Sequence, residues 1–258
     1  MSALNIAVVQ TKLVWENPIE NRAQLLKKIN STTQEVDVFV LPEMFTTGFS
    51  MTPDNIAEEM SGETVKWMLD LAKEKNAAIA GSVIIFENNK YYNRFLFVEP
   101  SGKINTYNKR HLFTLAGEEK VYSAGDEKII IDYKGWKICP LVCYDLRFPV
   151  WARNVENYDI LMYVANWPKR RIEAWDALLK ARSIENMSYV VGVNRVGLDA
   201  NKFEYNGHSA VYNCLGEGIS NIEEGKESVT IVKLDKEHLQ KVRSKLNFLN
   251  DKDSFEIN

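Results

Sequence analysis

Glu43, Lys109 and Cys143 each follow a run of strand-forming residues: 36–41 closed by Pro42, 103–107, and 138–142. Sheet-based enzymes gather their reacting groups at the carboxyl ends of strands, so a carboxylate, an ammonium and a thiol at three such ends can converge on one point. The chemistry that trio would perform is attack on an amide. A free thiol titrates near ~8.5 and is only a few per cent thiolate at neutral pH, so it needs a base. The chain has only three histidines, His111, His208 and His238, and Glu43 can serve as the base instead. Attack creates an oxyanion, which Lys109 together with the backbone N–H of Tyr144 can hold. Loss of such a contact costs on the order of 100-fold in rate.

The setting of the thiol is the most informative. An apolar run begins after the turn signal Lys134-Gly135, ends at Cys143, and gives way at once to Tyr144, Asp145 and Arg147. Pro149 then opens an amphipathic segment, 150–157, read as a short helix. A cysteine at a strand-to-helix junction is held by a rigid sheet, and the N–H groups of the following turn can lower its pKa or hold an oxyanion. Each residue also has an ordinary structural explanation: a core cysteine, an exposed loop glutamate, a solvated lysine. Two rival sites are weaker. A zinc centre on Cys139, Cys143 and a histidine lacks a second close pair of ligands. A Cys–His peptidase pairing Cys143 with His208 lacks the expected surroundings of the nucleophile.

The elements that must position the trio follow from periodicity and punctuation. Strands are expected at 4–10, 36–41, 77–86, 91–98, 103–107, 128–132, 136–142, 159–165, 189–193, 209–212 and 228–234. Helices are expected from Asn17-Pro18 to Ile29, at 63–75, 170–187 and 236–246. Asn88-Asn89 marks a hairpin, whereas the first strand, helix and next strand form a right-handed crossover. Crossovers and hairpins interleave without a linker or composition break, so 1–258 reads as one domain of the α/β class, two packed sheets flanked by helices. An open, doubly wound parallel sheet is the second choice.

Composition narrows the function. The 258 residues carry a net charge of −3, with lysine and arginine dispersed, which argues against nucleic acid as a partner. No apolar run approaches the ~18–20 residues of a membrane span. The opening MSALNIAVVQTK lacks a basic leader and reads as a first strand rather than a signal peptide. Three cysteines, Cys139, Cys143 and Cys214, without framework spacing suit a reducing cytoplasm.

Three stretches, LPEMFTTGF around Glu43, YNKRHLF around Lys109 and CPLVCYDLRFP around Cys143, resemble the nitrilase superfamily of carbon–nitrogen hydrolases. ANWP at 165–168 and ARSIEN at 181–186 resemble it too, and the matches run in order from Asn5 to about Leu234. The resemblance implies a four-layer α-β-β-α sandwich with Cys143 as nucleophile, Glu43 as general base and Lys109 as oxyanion stabiliser. It also implies a second glutamate, Glu118 or its neighbour Glu119, that positions the substrate or leaving ammonia, with no cofactor and no metal. Nitrile-cleaving members carry Trp-Glu after the cysteine. Tyr144-Asp145-Leu146-Arg147-Phe148-Pro149 is instead similar to the amidase branches, above all the omega-amidases, which act on 2-oxoglutaramate and related short amides. Ureido compounds are the alternative substrates. A substrate carboxylate requires a cation. Arg147 and Arg170 are the candidates, although Arg147 could instead pair with Asp145. Phe45 and Trp167 are expected as apolar walls, with Tyr144 and Asn166 as further substrate contacts. A homodimer through 150–155 and the 170–187 helix is implied as well.

Overall fold

In the computed structural model, which describes residues 3–256, strand β1 (Ala3–Gln10) turns Leu4, Ile6 and Val8 to one side and Ala7 and Val9 to the other. The period of two thus feeds two different cores. Helix α1 (Pro18–Asn30) follows, with Pro18 in its first turn and the Asn17 side chain accepting from the Glu20 N–H at 3.1 Å. Such a cap contributes about 1 kcal/mol. Strand β2 (Val38–Val40), helix α2 (Glu63–Lys75) and strand β3 (Ala78–Glu87) complete a parallel set. Leu25 and Ile29 of α1 and Val65, Met68 and Leu71 of α2 bury against Ala7, Val9, Phe39 and Ile79.

Asn88 and Asn89, at φ 51° and 58°, turn the chain from β3 into β4 (Lys90–Val98), the mirror-image turn whose twist suits a hairpin. Strand β5 (Ile104–Asn108) closes the meander, and β13 (Ser228–Asp235) returns to pair antiparallel with β1. The six-stranded order is β13-β1-β2-β3-β4-β5.

The second sheet starts with β6 (Ile131–Tyr133) and β7 (Trp136–Val142), joined by Lys134-Gly135 at φ 48° and 80°. Helix α3 (Pro149–Ala152), β8 (Ile160–Ala165), α4 (Ile172–Glu185) and β9 (Tyr189–Asn194) follow as parallel crossovers. A small hairpin, β10 (Val196–Leu198) and β11 (Glu204–Asn206), stands apart, and β12 (Ala210–Tyr212) completes the five-stranded order β12-β9-β8-β7-β6. Helix α5 (Lys236–Leu246) and a 3-10 turn, Phe248–Asp251, follow. Leu4, Ile6, Val38, Phe95 and Phe97 of the first sheet share one core with Ile138, Leu161 and Val191 of the second, and Trp175 and Leu179 of α4 join it. Helices, sheet, sheet and helix are therefore stacked in four layers, rather than as one open sheet. The helical segment expected at 150–157 ends at Ala152, and the long helix expected from 170 starts at Ile172 after a 3-10 turn.

Candidate active site

Cys143 directly follows β7 and begins a 3-10 turn, Cys143–Arg147, with φ at 46°. A non-glycine residue in the left-handed region is strained unless its surroundings hold it there, and such residues cluster at functional sites. Met44, next to Glu43, sits at φ 44°. Glu43 and Lys109 are fully buried, and Lys109 Nζ lies 3.0 Å from Glu43 Oε1. Glu118, also buried at the head of the Glu118–Lys120 turn, receives the same ammonium at 2.9 and 3.0 Å, while Glu119 is exposed.

The carboxylate of Glu43 is held from three directions. Oε1 accepts from Lys109 and from Asn93 Nδ2 at 2.8 Å, and Oε2 accepts from the Asn166 backbone N–H at 2.8 Å. Asn166 Nδ2 donates back to the Glu43 carbonyl at 2.6 Å. One ammonium faces two carboxylates. Burial drives the lysine pKa down, but Glu118 and Glu43 outweigh it and the ammonium is held charged well above its ordinary range. Glu118 goes up, through burial first and the Glu43 charge, against the pull of Lys109. Its Oε2 also accepts from the Phe113 N–H at 2.6 Å.

The sequence suggests a lowered thiol pKa; the structure gives the opposite. Burial and the Glu43 carboxylate push Cys143 well above the usual thiol range, and Lys109 only partly offsets them. The resting pair is a neutral thiol beside a carboxylate, which suits proton transfer during attack rather than a preformed thiolate. Cys139 packs in the core. His208 Nδ1 is 2.8 Å from Asp176 and its Nε2 is 3.5 Å from Glu224, so that histidine's partners are carboxylates.

Cys143 and Lys109 open into a cavity of about 260 Å³, lined also by Tyr144, Arg147, Asn166, Trp167 and Arg170. Phe45 is a correction. It is fully buried on the helix side of the first sheet, 6.0 Å from the Trp67 ring, and the absence of a side chain at Gly81 makes its room: a Cβ there would meet Phe45 at 2.8 Å. Phe49, four residues beyond, lines the cavity in its place, and Lys109 Nζ stands 5.2 Å from its ring. Arg147 does not pair with Asp145. Its guanidinium lies 4.7 Å from the Trp167 ring, Arg170 lies 4.5 Å from Phe203, and Arg171 lies 4.9 Å from Phe113. None of the three has a carboxylate partner among the described residues. Asn93, Arg171 and the β10–β11 hairpin, which brings Asp199, Phe203 and Tyr205 to the rim, were not anticipated from the sequence.

The stacked sheets with this acid–ammonium–thiol cluster define a class, and the family model for carbon–nitrogen hydrolases matches residues 5–244: the chain belongs to that family. It is 43% identical over the full length of both chains to an omega-amidase, YafV, of Escherichia coli K12. It is 32% identical to a 2-oxoglutaramate amidase of Bacillus subtilis, covering 95% of this chain and 96% of the other. Among solved structures, a CN-hydrolase superfamily protein of Xanthomonas campestris, XC1258, with an arsenic adduct in its active site, superposes with a TM-score of 0.96 at 40% identity, each chain fully covered. The protein is a hydrolase of carbon–nitrogen bonds in amides.

Proposed function

We infer that this hydrolase is an omega-amidase, cleaving the terminal amide of a short 2-oxo or amino acid to the dicarboxylate and ammonia. As Cys143 Sγ attacks the amide carbon, Glu43 takes the thiol proton, and the oxyanion forms against Lys109 Nζ and the Tyr144 N–H. Glu43 then returns the proton to the amide nitrogen, the C–N bond breaks, and ammonia leaves a thioester. Water, deprotonated by Glu43, attacks the thioester and expels the thiol as the acid is released. Glu118 keeps Lys109 charged and oriented through its two contacts with Nζ.

The observation that carries the substrate assignment is three cavity guanidiniums, those of Arg147, Arg170 and Arg171, stacked on aromatic rings with no carboxylate of the described protein paired to them. A substrate carboxylate supplies the missing anion. The names of the relatives support the same reading. The value of kcat/KM for 2-oxoglutaramate is expected to exceed that for an uncharged amide of equal length by at least about tenfold. Replacing the anchoring arginine, Arg147, Arg170 or Arg171, by Met should cost about 2–4 kcal/mol of binding and erase the preference. Ammonia release from the neutral amide should survive. Equal rates on both amides in the wild type would remove this assignment and move a carbamoyl-amine hydrolase to the front.

No helix among the described residues is long and apolar enough to cross a membrane, and cysteine usage supports a cytoplasmic site of action. Homodimerisation is supported by exposed Val150, Val155 and Ile184, on the segments expected to form a two-fold interface. Light scattering at micromolar concentration should give twice the 29.6 kDa chain mass; the monomer mass would refute it.

A further inference from the structure

Asp145 is fully buried, two residues past Cys143, and takes no part in the chemistry above. Its carboxylate accepts four hydrogen bonds. Oδ2 takes the Val142 N–H at 2.9 Å and the Tyr107 hydroxyl at 2.8 Å. Oδ1 takes the His111 N–H at 3.0 Å and faces His111 Nδ1 at 2.7 Å. All four donors belong to two short segments. Val142 immediately precedes the strained Cys143, and Tyr107 and His111 stand two residues before and two after Lys109.

We propose that Asp145 is a positioning residue, a buried clamp that ties the turn carrying Cys143 to the segment carrying Lys109 and so sets thiol against ammonium. The proposal rests on the assignment of those two residues to the reaction and not on which amide is cleaved. Neither neighbour can easily do this alone. Cys143 occupies a backbone conformation that its surroundings must enforce, and Lys109 sits just beyond the last residue of β5, tied to the sheet by one backbone bond, its N–H to the Asn93 carbonyl at 3.0 Å. The clamp is itself braced: the Tyr107 hydroxyl also receives Trp151 Nε1 at 3.0 Å and the Arg110 N–H at 3.2 Å, and the His111 ring stacks on Phe148 at 3.7 Å. A second anchor holds the far side of the same turn, where Arg182 Nη2 donates to the Leu146 carbonyl at 2.7 Å. Loss of Asp145 therefore loosens the turn without releasing it.

Asp145→Asn keeps the volume but turns an amide NH2 toward donors, so some of the four contacts become donor against donor. In the folded variant kcat should fall about 100-fold, the loss expected of a misplacement on the order of 1 Å. KM should stay within about threefold, and iodoacetamide alkylation of Cys143, followed by intact mass at one pH, should slow by about tenfold or more. Tyr107→Phe, which removes one of the four donors, should lower kcat by about tenfold. Alkylation needs no amide substrate, so the clamp is tested even where the assigned amide is wrong. A folded Asp145→Asn protein with kcat and alkylation rate within about threefold of wild type overturns the proposal. So does a loss of activity that tracks only the unfolded fraction. Where Asp145→Asn does not fold, an unchanged kcat in Tyr107→Phe overturns it.

Discussion

Cys143→Ala is expected to abolish amide turnover while the purified protein keeps its fold, and a slow substrate is expected to leave an acyl adduct on Cys143 of the wild type. The alanine fits because Cys143 is only partly buried and lines the cavity, so the smaller side chain adds to a space already open. Without the sulfur, none of the remaining groups forms a covalent bond to the amide carbon: Lys109 is held protonated by two carboxylates and Glu43 is engaged by three donors. Intact-mass spectrometry shows the adduct and peptide mapping after digestion decides its site; finding it on Cys139 or Cys214 would sink the assignment. The direction of the thiol shift adds a pH test. A pKa raised above that of a free thiol means less thiolate at any given pH. Alkylation of Cys143 should therefore keep accelerating with pH beyond the range in which an exposed thiol has levelled off. A plateau below that range would show a thiolate already formed at rest.

Glu43→Gln and Lys109→Met should each lower kcat by about 100-fold or more, about 2.7 kcal/mol of transition-state stabilisation. The glutamine is isosteric, and its single carbonyl oxygen can keep either the Asn166 N–H or the Asn93 and Lys109 contacts, but it cannot take a proton from the thiol or from water. Both half-reactions lose their base. Lys109→Met removes the charge opposite the oxyanion and leaves Glu43 and Glu118 buried without their shared cation. Glu118, already raised by burial and the Glu43 charge, loses the opposing pull of the lysine and goes up further. Steady-state kinetics with ammonia detection measures both variants. A near-wild-type kcat in either variant would exclude that residue from the reaction.

The clustering of Glu43, Lys109 and Cys143 was legible because each follows a strand that punctuation makes visible: Pro42 before Glu43, the meander turn at 100–102 before the strand leading to Lys109, and an unbroken apolar run before Cys143. Its supporting residues depend on long-range register instead. Asn93 reaches Glu43 across 50 positions. The one signal it gives is a polar residue on the face of β4 shared with Phe95 and Phe97, where an apolar side chain would be expected. Phe45 was misplaced because Met44 adopts a positive φ, which an ordinary alternation does not foresee, and the chain turns the ring to the helix layer. The β10–β11 hairpin escaped notice since its strands have three residues each and are too short for any period to show. The direction of the thiol shift was missed for a similar reason: turn N–H groups are local, but the desolvation and carboxylate that outweigh them come from distant parts of the chain.

The pairing of β1 with β13 has a consequence for how the chain reaches this state. Residues 3–10 must find residues 228–235, so the first sheet cannot close until more than two hundred intervening residues are present. Loop closure of that length is not itself prohibitive, since each doubling adds only about 0.6 kcal/mol. The penalty is kinetic. Non-local pairings slow folding, and during synthesis β1 waits as an open edge beside β2, with unpaired N–H and C=O groups on an apolar strand. Such an edge invites pairing with another nascent chain. Destabilising β13 is therefore expected to harm yield before it harms activity, because Glu43, Lys109 and Cys143 follow β2, β5 and β7 rather than β1 or β13.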